Sequence, residues 1–244
     1  AQTSGTIVES LNTQSGSGLV KKLISYENKM RESNENEINA MFLSNHDQVR
    51  IANALEPKGL DTAQFAASVY MLFPGNPYIY YGEEIGTKAE STSSDAYYRT
   101  AMVFDSDNLP NIYVNTIGED TVAPTGGGVK QQLEDEDSLL NFYRRIIKIK
   151  NQNPEIARGK ITGQQNFDDK QIGAFYTEYD GSKLMIIHNF NGSDSKELTI
   201  TDDMIKNAVV RADLVTTDTD THVELKDGKL TLPAHSTVIL KSAE

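Results

Sequence analysis

The 244-residue sequence contains no cysteine and no tryptophan, only four histidines, and no long apolar run. Without cysteine, disulfides, thiol chemistry and thiolate metal sites are excluded. That absence is compatible with secretion but does not show it. The four histidines are dispersed and no HExxH spacing occurs, so no zinc-protease-like ligand set is present. No stretch approaches the ~18 apolar residues that span a bilayer. The opening AQTSGTIVES has neither a basic segment nor an apolar core, so no signal peptide is expected there. Basic residues are the minority: 23 Lys and Arg against 35 Asp and Glu give a net charge of −12. An acidic surface repels nucleic acid and anionic membrane, so neither is expected as a partner. A neutral ligand such as a sugar meets no electrostatic penalty on it. The hydrophobic fraction of 38% and mean hydropathy of −0.47 suit a soluble globular chain with a sizeable core.

What is present falls into two parts. Residues 1–18, rich in Ser, Thr, Gly and Gln, read as a loop. Leu19, Val20, Leu23, Ile24 and Met30 recur at helical spacing and predict a helix over Leu19–Arg31. The apolar run Ile38–Leu43 predicts a buried strand. A second helix is expected over Asp61–Phe73, capped by Asp61 and ended by Pro74-Gly75. The aromatic run Tyr78–Tyr81 predicts another buried strand. Strand, helix, strand with short connections is a βαβ unit, and parallel strands require such a crossover. A long, poorly periodic stretch, residues 83–135, follows. Its length suggests a functional loop. Residues 137–152 then carry a wide apolar face and read as a helix stopped by Asn153-Pro154.

Beyond Pro154 the pattern changes to strands separated by turns. Strands are expected near residues 172–177, 183–190, 198–201, 209–214, 223–226, 229–232 and 237–240. Asp180-Gly181 and Asp227-Gly228 are hairpin signals, because both central positions need positive φ. Asn191-Gly192 is a third turn signal. His188, His222 and His235 read as ordinary strand residues. This pattern is an antiparallel β-sandwich. The expected domains are therefore residues 1–155 and 156–244.

The richest short segment is FLSNHDQVR, Phe42 to Arg50. It sets Asn45, His46 and Asp47 directly after an apolar run. A rigid strand fixes such groups, and the following loop opens them to a ligand. Together they donate and accept hydrogen bonds, which suits a polyhydroxylated substrate. The plainer alternative is a strand ending in a capping Asp before a helix.

FLSNHDQVR followed by PGNPYIYYGEEIG, residues 74–86, resembles the alpha-amylase family, glycoside hydrolase family 13. The first block resembles that family's signature at the end of barrel strand seven, and the second its eighth strand. SLLNFYRRIIKIKNQNPEIARGK, residues 138–160, is similar to the last barrel helix and its exit. LPAHSTVILKS, residues 232–242, is similar to the closing strand of the C-terminal β domain.

The resemblance implies a fold class of α/β plus all-β: the C-terminal part of a (β/α)8 TIM barrel, strands seven and eight with their helices, followed by an antiparallel β-sandwich. A whole TIM barrel takes ~250 residues. Strands one to six are thus expected outside this sequence, with the nucleophile Asp and the acid/base Glu on strands four and five. The resemblance implies that Asp47 is the transition-state stabiliser of a retaining glycosidase. His46 would bind the same sugar, with Asn45 and Arg50 as flanking contacts. The implied substrates are starch-like α-glucans or maltooligosaccharides. The partner is the remaining barrel portion or a swapped copy of this chain. The implied location is extracellular or cell-surface, with cytoplasmic as the alternative.

No metal ligand is expected in this chain, and no cofactor beyond Ca²⁺ in the whole enzyme. Asp105-Ser106-Asp107-Asn108 carries oxygen ligands but lacks the twelve-residue EF-hand pattern, so it is not expected to hold that ion. Tyr80 and Tyr81 are expected to pack in the core rather than stack on sugars. Glu83 and Glu84 point differently along an extended chain and are expected to be structural, one of them buttressing charged partners in the barrel mouth. The acidic run 134–137 is expected to cap the helix after it. The family pattern departs at Tyr98-Arg99-Thr100-Ala101-Met102, where Ala101 replaces the common Pro and Phe104 stands where a Trp is frequent. That leaves α-1,4 against α-1,6 preference open. Two other functions compete with the enzyme: a non-enzymatic, transporter-associated ectodomain, and a carbohydrate-binding piece. The second needs exposed aromatic platforms and is weakened by the absence of Trp.

Overall fold

The computed structural model describes residues 2–55, 58–109, 123–216 and 218–243. Residues 110–122, the middle of the expected long loop, lie outside the described residues.

Three layers account for most of the described chain. The first is helical, and begins with α1 (Gln2–Thr13) and α2 (Gly16–Ser33). Helix α1 replaces the expected opening loop. Ile7 and Leu11 lie one turn apart and are buried, and packing rather than local propensity holds a helix this polar. Gln14, at positive φ, ends it, and the Ser15 N–H returns to the Ser10 carbonyl. Helix α2 matches the expectation for Leu19–Arg31 and runs slightly longer. It buries Leu19, Val20, Leu23 and Glu27 on one face. Its first residue, Gly16, meets Gly173 so closely that a Cβ there would lie 2.5 Å from the Gly173 nitrogen.

After the short α3 (Ile51–Ala54), α4 (Leu60–Met71) starts from Gly59 rather than Asp61. Asp61 sits inside the first turn, and its carboxylate instead receives His235 Nδ1 at 2.9 Å. The layer continues with α5 (Val129–Glu134), α6 (Leu139–Gln152) and α7 (Pro154–Ala157). The acidic run before α6 does not cap it. Ser138 does, its hydroxyl accepting the Asn141 N–H at 3.2 Å. Inside α6, Lys150 is buried and donates to the Phe73 carbonyl at 2.9 Å, and burial pulls its pKa down to about 8. No helix among the described residues is long and apolar enough to cross a membrane.

The expected strands at 38–43 and 78–81 form no regular ladder. Two bonds join the segments they belong to: Asn76 N–H to the Asn39 carbonyl and Tyr78 N–H to the Met41 carbonyl, each 2.8 Å. Nor are both segments buried. Met41 and Leu43 are, whereas Ile38 and Tyr78 are 67% and 64% exposed. A parallel strand is completed by neighbours on both sides, and among the described residues no other segment pairs with either. A cleft of about 490 Å³, lined by Leu23, Tyr26, Met30 and Met41 among others, opens between α2 and residues 39–41.

The second layer is a sheet of β1 (Lys160–Gln165), β2 (Ile172–Tyr179), β3 (Ser182–Asn189), β5 (Ala208–Val215) and β8 (Ser236–Ser242), in the order β1-β2-β3-β8-β5. The third is β4 (Lys196–Thr199), β6 (Glu224–Lys226) and β7 (Lys229–Leu232), in the order β4-β7-β6. All pairings are antiparallel. The inner strands of the central sheet, β2, β3 and β8, are buried on both faces. Phe175, Leu184, Ile186 and Ile239 join the helical core, while Ala174, Met185, Ile187, Val238 and Leu240 pack against Leu198, Leu230 and Leu232 of the small sheet. Successive residues point to opposite faces, so β2, β3 and β8 carry unbroken apolar runs, residues 172–176, 184–187 and 238–240, flanked by polar residues.

Asp180-Gly181 and Asp227-Gly228 form the expected hairpins, all four residues at positive φ. Asn191-Gly192 does not: neither residue has positive φ, and the Asn191 side chain instead accepts the N–H groups of Ser193 and Asp194. The chain there leaves one sheet for the other, so no hairpin closes. Of the histidines, only His188 lies in a strand. His222 is exposed beside Asp213 in a loop. His235 takes positive φ before β8 and stacks on Phe65 of α4, centroids 4.9 Å apart.

His188 sits where α4, β3 and β8 meet. Its Nδ1 bonds the Thr237 hydroxyl at 2.8 Å, Thr237 bonds Ser68 at 3.0 Å, and Nε2 is buried without a partner. Burial disfavours the imidazolium and lowers the pKa to about 3 from 6.5. The folded value lies below the unfolded one, so His188 supports stability above pH 6.5 and withdraws that support as pH falls towards 3. Replacing His188 by Gln is expected to flatten the acid side of the stability–pH curve by up to about 1.4 kcal/mol per pH unit. Urea unfolding from pH 7 to pH 4 tests this; parallel curves for the two proteins would refute it.

Candidate functional site

The turn after residues 38–43 brings Asn45, His46 and Asp47 to the surface together. Asn45 shapes the turn: its Oδ1 accepts the Asp47 N–H at 2.9 Å, the local bond that Asn side chains favour. The His46 and Asp47 side chains are 63% and 61% exposed, with Nε2 and Oδ2 3.2 Å apart. A second strand of chain meets them. Arg99, from the short 3₁₀ turn Asp95–Arg99, places Nη2 at 3.0 Å from Asp47 Oδ1 and 2.6 Å from Asp95 Oδ2. Its Nε donates to the His46 carbonyl at 3.2 Å. The result is an exposed group of two carboxylates, a guanidinium and an imidazole, open to a polar ligand.

Beneath it lies a buried polar layer. Ser44, one residue before Asn45, donates to Glu83 Oε2 at 2.8 Å, while the Tyr70 and Tyr143 hydroxyls donate to Oε1 at 2.8 and 2.9 Å. Burial raises the Glu83 pKa, and the three hydroxyl bonds oppose that rise. Glu83 is thus structural, as expected, but its hydrogen-bonding partners are neutral hydroxyls rather than charged groups.

Arg50 belongs to this buried layer rather than to the exposed cluster. It is 1% exposed, with Nε bonded to the Tyr98 carbonyl at 2.9 Å and Nη1 to the Tyr81 carbonyl at 2.8 Å. Its guanidinium lies 4.7 and 4.9 Å from the ring centroids of Tyr80 and Tyr81. Burial lowers its pKa, and the two tyrosines counteract that. Tyr80 and Tyr81 are accordingly not core residues of a strand: Tyr81 is 42% exposed, and both hydroxyls donate to carbonyls of the loop at Tyr98 and Thr100. Arg50 therefore ties the 78–81 segment to the loop that carries Arg99.

The acidic segment at residues 105–108 is engaged by the protein itself. Asp105 accepts from Gln131 at 2.8 Å and Lys130 at 2.9 Å, and these bonds pull its pKa down to about 2. Among the described residues, no three His, Asp or Glu side chains come together as a metal site.

The sequence reading brought Asn45, His46 and Asp47 together but missed Asp95 and Arg99 as their neighbours. The Asp-x-x-x-Arg spacing signals a local pair within one turn. It carries no sign of a contact 52 residues away. Arg50→Lys should cost about 1.5–3 kcal/mol, since an ammonium keeps the charge but loses the planar fork over two rings and two carbonyls. Chemical denaturation measures this; unchanged stability would mean that the clamp contributes nothing.

The chain is similar to known proteins over most of its length. The family model described as alpha amylase, catalytic domain, matches residues 11–159, and that for the alpha-amylase SusG C-terminal domain matches residues 172–239. Alpha-amylase SusG of Bacteroides thetaiotaomicron is 32% identical over 95% of this chain and 33% of its own length. Alpha-amylase 3 of Dictyoglomus thermophilum is 31% identical over 77% of this chain and 37% of its own. Among solved structures, Eubacterium rectale Amy13B superposes with a TM-score of 0.85 at 29% identity, over 98% of this chain and 46% of that one. The alpha-amylase from H. orenii gives 0.78 at 26%, over 99% and 48%. The chain thus spans about a third of the length of these curated relatives and under half of the solved ones. Its helical part is the C-terminal portion of a (β/α)8 barrel, and its two sheets are the β domain that follows. The chain belongs to the alpha-amylase family.

Proposed function

We propose that this chain is the C-terminal part of a retaining glycoside hydrolase acting on α-glucosidic bonds of starch-like glucans or maltooligosaccharides. In this reading Asp47 is the transition-state stabiliser and His46 and Asn45 bind the sugar. Residues 1–155 belong to the barrel and 156–244 to the β domain. The observation that carries it is the exposed Asp47 carboxylate, fixed by a turn and lying beside His46.

A carboxylate has about four lone-pair positions. Arg99 takes one on Oδ1, and His46 lies beside Oδ2. The remaining positions suit two vicinal hydroxyls of one pyranose. As the glycosidic bond breaks, the ring flattens and positive charge grows at the anomeric carbon and ring oxygen. Hydrogen bonds to a nearby anion strengthen in that state more than in the ground state, and only such differential interactions raise the rate. The nucleophile and the acid/base belong to the rest of the barrel, outside this chain. A large glucan does not cross a bilayer, which favours an extracellular or cell-surface location.

In the whole enzyme, Asp47→Asn should lower kcat by about 100-fold or more with a smaller change in KM. Steady-state turnover of a chromogenic maltooligosaccharide reads this, and a fully active variant would defeat the assignment. The isolated 244-residue chain should not turn that substrate over. It should also associate, with the rest of the barrel or with a second copy, because the 39–41 edge and Tyr78 lie open. A monodisperse monomer in light scattering would count against this.

A further inference from the structure

We propose that Arg99 is a positioning residue for Asp47, delivered from a different loop to hold that carboxylate in one orientation. This rests on the role of Asp47 argued above. Three contacts carry it. The Arg99 guanidinium reaches Asp47 Oδ1 at 3.0 Å, the His46 carbonyl at 3.2 Å and Asp95 Oδ2 at 2.6 Å. One planar fork therefore grips both the side chain of Asp47 and the backbone of the residue before it.

The loop bearing Arg99 is itself anchored from below. Arg50 bonds the Tyr98 carbonyl and the Tyr80 hydroxyl donates to the same carbonyl. The Tyr81 hydroxyl fastens Thr100 on the other side. Arg99 is thus set between two tethered residues, and Asp95, one turn earlier, accepts from the same Nη2 that reaches Asp47. Exposed ion pairs contribute little to stability, so a guanidinium braced in this way has its main effect on where the Asp47 oxygens point. With Oδ1 held, the open lone pairs of Asp47 face one direction rather than rotating about χ2.

The test uses the whole enzyme and an activated aryl maltooligosaccharide, whose good leaving group keeps low rates measurable. Arg99→Met is expected to lower kcat about 10- to 100-fold, the scale of a misplaced catalytic group, with KM changed less than about twofold and the unfolding temperature nearly unchanged. Added guanidinium ion is expected to restore part of the loss, which a merely structural defect would not allow. Arg99→Lys, which keeps the charge without the fork, should fall between the two and serves if Arg99→Met does not fold. On an Asp47→Asn background, Arg99→Met should cost little more, since it acts through the group already altered. Full kcat in Arg99→Met, a rise in KM alone, or fully additive losses in the double variant would each overturn the proposal while leaving Asp47 in place. Full activity in Asp47→Asn would remove both readings together.

Discussion

Glu83 has nearly lost its contact with water and keeps its place through three hydroxyl groups, one from each of three separated parts of the chain. A buried carboxyl without such bonds would cost several kcal/mol. Ser44, Tyr70 and Tyr143 are therefore required to converge, and with them the end of the 38–43 segment, helix α4 and helix α6. Asn45 follows Ser44 directly, so the exposed His46 and Asp47 begin from a fixed point. The floor of the candidate site and the helical layer are parts of one hydrogen-bonded arrangement.

The central sheet imposes a second constraint. With helices on one face and the small sheet on the other, its inner strands β2, β3 and β8 are buried over most of their length, and solvent reaches chiefly the outer strands β1 and β5. Phe65 then links the layers, stacking on His235 and meeting Phe190 edge-on at 4.9 Å. Because α4 touches both Glu83 through Tyr70 and the β domain through Phe65, the surface cluster is braced by elements far from it in sequence.

What was legible in the sequence was whatever depends on short range. Helix α2 shows its spacing, and Asp180-Gly181 and Asp227-Gly228 declare their turns by the conformation they require. Helix α1 was not legible, since two buried aliphatic residues among Ser, Thr and Gln give too weak a pattern until the rest of the core is present. The runs at 38–43 and 78–81 have the composition of barrel strands, but a regular ladder also needs neighbours, and among the described residues the two segments share only two backbone bonds. At the site, FLSNHDQVR carried three of its residues in one string. Arg99 was hidden because its contact with Asp47 is made by the fold alone. Arg50 looked like a ligand contact because it follows the cluster closely, and only the burial of its guanidinium between Tyr80 and Tyr81 assigns it to the scaffold.

Gly16 and Gly173 bear on how freely this chain could accept a β domain from another protein. Helix and strand meet there with no side chain between them: a methyl group on Gly16 would sit 2.5 Å from one backbone, and one on Gly173 2.9 Å from the other. A β domain grafted from a relative with alanine at the second position would have to lift away from the helix, opening gaps along the whole shared core. Grafting another β domain onto this chain is thus gated by a pair of missing carbon atoms, and recombination that ignores them would separate two halves that otherwise fit.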